Sequence, residues 1–297
     1  LNKNTAIYAD LLLLLVAGIW GTTFVVQRLG MDYIGPFTYT GFRFALASLV
    51  LVPVLTVNFK KIRSQLSNPR LWQGGLWLGL FISGVINLQQ IGLLFTTVTN
   101  AGFITGLYVV IVPILGLFFK VESSVGVWLG VICAVVGMSL LSVTSSLTIA
   151  SGDLIQLAST ILWAAHVLLV AHYARQFDAV LLALIQFMLC SIISLVLAFI
   201  VEDIEFTGIS AAMPALLYGG VLAAGFGFTI QIVAQRYAIA SHAAIILSSE
   251  ALFAACAGAI FLGESLTMRG YIGCALMFAG ILLAQLWPKS HAKLNIT

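Results

Sequence analysis

The sequence predicts an all-α polytopic membrane protein, with ten transmembrane helices arranged as two inverted five-helix repeats around a central cavity. Three observations carry this expectation. The 297 residues are 61% hydrophobic and 8% charged, with a mean hydropathy of +1.12, whereas a soluble domain carries roughly 25% charge. Apolar runs of about 20 residues, the length that crosses a bilayer as a helix, recur along the whole chain. Landmarks of the first half return about 143 residues later in the second. The apolar runs are continuous rather than alternating, which excludes a transmembrane β-barrel.

Taken in order, a hydropathy window of about 19 residues marks spans near 9–29, 36–57, 72–94, 98–119, 124–143, 152–173, 178–201, 213–236, 242–262 and 267–287. The first has only Lys3 ahead of it and no small-residue cleavage pattern behind it, so it reads as a retained helix rather than a signal peptide. The connections are short. The longest, near 58–71, carries Lys60, Lys61, Arg63 and Arg70. With both termini in the cytoplasm, these bases lie inside together with Lys3, Lys120, Arg175, Arg236, Lys289 and Lys293. Arg28 and Arg269 alone lie outside, and Arg43 falls within a span. That asymmetry is the positive-inside signal. The net charge of +3 is therefore spread over loops and does not suggest nucleic acid as a partner.

The repeat is visible in single residues. Trp163 follows Trp20 by 143 residues, and Gly273 and Gly280 follow Gly130 and Gly137 by the same distance. Glu264 follows Glu122 by 142, and Gly219-Gly220 follows Gly74-Gly75 by 145. Residues 1–147 and 148–297 thus form two units of five spans. An odd number of crossings makes the second unit enter from the opposite side, a plan many secondary transporters share. Small residues at Gly75/Gly79, Gly102/Gly106 and Gly126/Gly130 let helices approach closely. The glycine faces of spans 5 and 10 are expected to pack on each other or to form a homodimer seam. Glu122 and Glu264 stand at span ends near water, where anchoring is the plainer role.

Polar side chains deep in the spans are the informative ones, because lipid penalises them unless they face a shared interior or a wet cavity. Glu250 is the acid well inside a span and Arg43 the base. Around them stand Gln89, Gln90, Tyr108, His166, Gln186, Gln231 and Gln235, with Trp20 and Trp163 at equivalent places in spans 1 and 6. The repeat pairs Glu250 with Tyr108 and Arg43 with Gln186. A cavity on the pseudo-two-fold would gather both pairs.

Glu250 can bind a proton or a substrate ammonium group. Equally, it can be a structural acid held by Arg43 or by Ser248 and Ser249. Arg43 can bind a substrate carboxylate or clamp Glu250, or it can snorkel or pair structurally. His166 can relay protons or simply pack. The glutamines suit a polar organic solute or interhelical hydrogen bonds. The tryptophans pack or gate. The four cysteines lie in apolar spans without metal-ligand spacing, so no disulfide framework, metal or cofactor is implied. No HExxH, GxSxG or P-loop is present, which argues against an enzyme and against ATP-driven transport by this chain alone.

Three stretches carry a family resemblance: GIWGTTFVVQRLG (18–30), QQIGLLFTTVTNAGFITGLYVVIVP (89–113) and EALFAACAGAIFLGESL (250–266). They resemble the EamA branch of the drug/metabolite transporter (DMT) superfamily, over roughly 10–143 and 153–287. The resemblance implies a multi-pass secondary transporter of a bacterial inner membrane. Its relatives export amino acids, metabolites or drugs, and some import. Export of a small polar or amphipathic solute by alternating access is the expectation, with proton coupling through Glu250. An uncoupled facilitator whose intramembrane charges are structural is the alternative. The WGT piece matches at Trp20, Gly21 and Thr22, and its counterpart keeps only Trp163. The proline that usually follows the family's glutamate is Ala251 here. Helix 9 is therefore expected to be straighter than in relatives, with Pro113 able to kink span 4 instead.

Overall fold

Two of the long helices begin where their caps dictate. Asn68 accepts from the Arg70 amide at 3.0 Å, with Pro69 in the first turn. Asp178 accepts from the Val180 and Leu181 amides at 3.0 and 3.3 Å. Each satisfies amides that the first helical turn leaves without partners.

The computed structural model describes residues 3–57, 59–96, 98–118, 123–142, 151–262 and 268–287. They form helices throughout: α1 (Lys3–Gly30), α2 (Pro36–Val57), α3 (Phe59–Leu66), α4 (Pro69–Gly92), α5 (Val98–Gly106), α6 (Tyr108–Phe118), α7 (Val125–Ser142), α8 (Ser151–Tyr173) and α9 (Ala179–Val201). Next come α10 (Phe206–Ala211), α11 (Met213–Leu217), a π-helical segment (Tyr218–Phe228), α12 (Thr229–Gln235), α13 (Ala240–Leu247), α14 (Glu250–Leu262) and α15 (Met268–Leu286). Glu122 and Glu264 lie outside the described residues.

Among the described residues, seven helical stretches are long and apolar enough to cross a membrane, and shorter apolar helices occupy Val125–Gly137, Ala240–Ala254 and Met268–Ala284. Their outward faces are as apolar as the core. Leu49, Phe199, Ile200 and Ile260 are all exposed. Helices that are apolar all round need lipid as their solvent. The chain is therefore a multi-pass membrane protein.

α2 packs on α9, α4 on α8 and α9, and α1 on α14. The glycine faces of α7 and α15 meet within the chain. A Cβ built on Gly137 would stand 2.5 Å from the Gly273 carbonyl oxygen, and one on Gly130 would stand 2.8 Å from that of Gly280. At one end of the bundle Arg236 donates to the Ala174 and Phe177 carbonyls, at 2.6 and 2.5 Å. Arg175 donates to the Ala238 carbonyl at 3.4 Å. At the other end, the Glu202 carboxylate caps α2 by accepting from the Phe37 and Thr38 amides at 2.7 and 2.8 Å.

Span 9 is not a continuous helix. It is interrupted at Ser248–Ser249, immediately before Glu250, without any proline. The two serine hydroxyls donate back to the Ile245 and Ile246 carbonyls at 2.8 and 2.6 Å. The Ser249 amide reaches only Ile246, three residues back, at 3.1 Å. Side-chain bonds of this kind compete with the helical ladder and release it. Span 4 breaks at Leu107, not at Pro113, which α6 carries in its interior. There the Leu107 amide tightens onto Ile104 at 3.1 Å, and the Ile104 carbonyl also accepts from the Thr160 hydroxyl at 3.0 Å.

Gly137→Ala sets a methyl against backbone that cannot swing aside, and should cost about 1–3 kcal/mol. Gly102→Ala meets nothing closer than 3.9 Å and should leave stability level or raise it by up to about 1 kcal/mol. Thermal melts of the two purified variants check the contrast. Equal losses would mean that α7 and α15 are not seated as described.

Candidate functional site

The interruptions of spans 4 and 9 coincide under the sequence repeat. Tyr108 opens α6 and Glu250 opens α14, and these are the residues the 142-residue offset pairs. Breaks at corresponding places in two halves are the arrangement by which transporters build a binding site at mid-membrane.

Glu250 and Arg43 both line one cavity. α1 contributes Trp20, Thr23, Phe24 and Gln27 to it, and α4 contributes Ile86 and Gln89. Thr105, Trp163 and Phe228 complete the wall. The cavity measures about 30 Å³. A single water needs about 10–15 Å³, so two waters fill it and an organic solute does not.

The two charges do not meet as an ion pair. Among the described residues the ion pair is His242 with Asp10, at 2.9 Å. Arg43 instead donates from Nε to the Gly219 carbonyl at 3.0 Å, with its guanidinium 5.6 Å from the centroid of the Phe44 ring. Its Nη1 is buried without a partner, as is Oε1 of Glu250. The clamp of Arg43 on Glu250 is thus not formed, and Ser248 and Ser249 spend their hydroxyls on backbone rather than on the acid.

The carbonyl that holds Arg43 is offered by the π-helical segment. Such turns are rare and release carbonyls from the regular ladder. Trp20 uses another of them, donating from Nε1 to the Ala223 carbonyl at 3.0 Å. The whole WGT stretch faces this region. A Cβ on Gly21 would lie 2.6 Å from the Glu250 carbonyl oxygen, so glycine lets α1 touch the backbone at the break in span 9. Thr22 and Tyr218 share a hydroxyl–hydroxyl bond at 2.5 Å.

Gln89 reaches the cavity and donates to the Thr105 hydroxyl at 3.3 Å. Gln90, next to it, is fully buried with both amide atoms unpartnered and does not line the cavity. Tyr108 is also outside the wall. Its hydroxyl is buried without a partner, and its ring meets Trp163 edge-on at 6.2 Å. His166, Gln186 and Gln231 stand apart as well. His166 Nε2 bonds Gln186 Oε1 at 2.9 Å, and its ring stacks on Trp163 at 5.5 Å. Tyr108 is thus within electrostatic reach of Glu250 without lining the cavity, and Gln186 is not in its wall. Sequence reasoning missed Gln27, whose Oε1 is buried and unpartnered in the cavity wall. It also missed Phe228, which packs on Trp20 at 4.7 Å, Trp163 at 5.7 Å and Phe187 at 6.1 Å. The periodicity of polar residues in span 1 could have exposed Gln27. Nothing in an apolar run marks one phenylalanine out.

A multi-pass helical bundle with unpaired charges at a cavity beside broken helices has the build of a membrane transporter. The chain belongs to the EamA-like transporter family, whose sequence profile matches residues 7–143 and again 150–286. It is of the EamA/DMT type. A protein of Archaeoglobus fulgidus named as an uncharacterized transporter is 33% identical over 94% of this chain and 86% of its own length. The uncharacterized transporter YoaV of Bacillus subtilis is 23% identical over 89% of this chain and 92% of its own length. A solved structure, 17% identical, superposes with a TM-score of 0.77 over 94% of this chain and 96% of its own, which shows a shared fold. Family and relatives' names indicate a transporter rather than an enzyme.

Because no side chain holds Glu250 Oε1, Glu250→Gln should keep stability within about 1 kcal/mol of the native chain, or raise it. Removing one partner of an established buried pair costs about 3–5 kcal/mol instead. Thermal unfolding in detergent decides, and a fall of that larger size would make Glu250 a structural acid.

Proposed function

We infer that the protein is an alternating-access secondary transporter that exports a small polar or amphipathic organic solute, such as an amino acid, a metabolite or a drug. The single observation that carries this is the cavity in which Arg43 and Glu250 both stand without pairing to each other. Two opposite charges held apart in a low-dielectric interior suit a solute bearing complementary groups. Glu250 takes a proton or the solute's cationic group, and Arg43 takes an anionic group. The double match of the family profile supports two five-helix repeats, 1–147 and 148–297, and hence ten crossings in inverted order. The distribution of Lys and Arg supports cytoplasmic termini in a bacterial inner membrane.

Proteoliposome flux tests the reading, after a thermal-shift screen of a metabolite panel has found a stabilising solute. An imposed pH gradient should drive flux of that solute, and Glu250→Gln should reduce the gradient-driven component by at least about tenfold, the range of a lost charge-assisted contact. Uncoupled facilitation is the second reading. It is favoured by the tie between Arg43 and the Gly219 carbonyl, which gives that arginine a structural task. It predicts flux indifferent to the gradient and unchanged by Glu250→Gln.

A further inference from the structure

Beyond the cavity of Arg43 and Glu250 lies a second set of polar side chains with no formal charge. His166, Gln186, Gln231 and Gln235 are fully buried. His166 bonds Gln186. Gln235 donates to the carbonyl of Val167, the neighbour of His166, at 3.4 Å. Gln231 stands one turn before Gln235 in α12, on the same helix face. Their hydrogen-bonding capacity is far from used. His166 Nδ1, Gln186 Nε2, Gln235 Oε1 and both amide atoms of Gln231 have no partner. Each such atom costs about 1–3 kcal/mol when it stays dry and unpaired. A run of unsatisfied donors and acceptors at one place is tolerated where something polar enters during the working cycle.

What separates this set from the cavity is aromatic. Trp163 and Phe228 belong to the cavity wall and lie 5.7 Å apart. One helical turn further along the same two strands of the bundle stand His166 and Gln231. α8 and the stretch ending in α12 run in the same direction, being separated by one intervening crossing. The step from aromatic to polar, about 4.5 Å along each axis, is therefore taken to the same side in both. Phe187, beside Gln186, closes the layer against Phe228 at 6.1 Å.

We propose that His166, Gln186, Gln231 and Gln235 form a second binding station, on the far side of the Trp163–Phe228 layer, for an uncharged hydrogen-bonding group of the solute such as a hydroxyl or an amide. This rests on the transporter reading of the first cavity. The first site selects by charge and the second by neutral donors and acceptors. Parting of the aromatic layer connects them. A carboxamide and an imidazole both donate and accept, so a hydroxyl or amide finds complements for each of its atoms. An ion at the same place would be stripped of water without a counter-charge.

The test uses Gln231→Cys in a chain whose Cys133, Cys190, Cys256 and Cys274 are replaced by alanine, reconstituted in liposomes. Three methanethiosulfonates of similar size are applied: the uncharged hydroxyethyl, the cationic trimethylammonium-ethyl and the anionic sulfonatoethyl reagents. The uncharged reagent should modify Gln231→Cys about tenfold faster than either ion, the penalty for desolvating a charge being the cause. It should also outpace its own reaction with Met188→Cys, an apolar position 49% exposed on the outer surface of α9. Reaction no faster than at Met188→Cys overturns the station. Equal reaction with all three reagents overturns its neutral character. Gln235→Cys repeats the measurement if the first variant fails to fold. Gln27→Cys, in the first cavity, separates the two readings: modification there with none at Gln231→Cys removes the second station alone, and none at either removes both.

Discussion

The structure depends on the absence of water around its backbone. In hydrocarbon every amide and carbonyl must find a partner within the protein, so an interruption in a helical ladder is permitted only where side chains repair it. Each interruption here has its repair. Ser248 and Ser249 serve the carbonyls before Glu250. Thr160 serves the Ile104 carbonyl beside the break at Leu107. Arg43 and Trp20 serve the carbonyls that the π-helical segment turns loose. The site is built at these repairs because only there can backbone and side chains of different helices come within bonding distance.

That constraint divides the intramembrane polar residues into two groups. Gln156, Ser159 and Thr160 spend their donors on carbonyls of α4 and α5 and hold helices together. Glu250, Gln27, Gln90 and Gln231 keep buried atoms unbonded, and holding helices together does not explain those. Arg43 belongs to both groups, with Nε engaged and Nη1 unpartnered, and so does Gln156, whose Oε1 has no partner. One arginine can therefore fix the π-helical segment and still present charge to the cavity.

Much of the architecture was legible in the sequence because lipid makes hydropathy a direct readout of burial in the membrane. The helices fall close to the expected spans, and the glycines of α7 and α15 meet as their spacing implied. Arg43, Glu250, Gln89, Trp20 and Trp163 were also legible as neighbours of one cavity, since charge and indole groups inside apolar runs have few other places to be. What could not be read was how the backbone leaves its regular path. The break before Glu250 was masked by the missing proline, because serine back-bonding leaves no mark that distinguishes it from ordinary small-residue packing. The π-helical turns of Tyr218–Phe228, whose Gly219 and Gly220 lie against Tyr39 and Arg43, leave no mark in a hydropathy window. His166, Gln186 and Gln231 are outside the cavity wall, with the His166 ring stacked on Trp163 and bonded to Gln186, a placement that polarity alone does not reveal.

The π-helical segment also breaks the likeness between the two halves. Its repeat counterpart in the first half, around Gly74-Gly75, is a regular stretch of α4 packed on Tyr173 and Ile185. In an ideal inverted repeat the halves would exchange conformations between the two end states of a cycle, and those states would have equal energy. Here the exchange would require α4 to unwind into wide turns beneath two glycines already filled by neighbouring side chains. Under the alternating access proposed above, the two end states would thus be inequivalent, and the empty carrier would rest on one side of the membrane more than the other. A carrier with such a resting bias moves solute at different rates in its two directions under small gradients, although its equilibrium obeys the driving force alone.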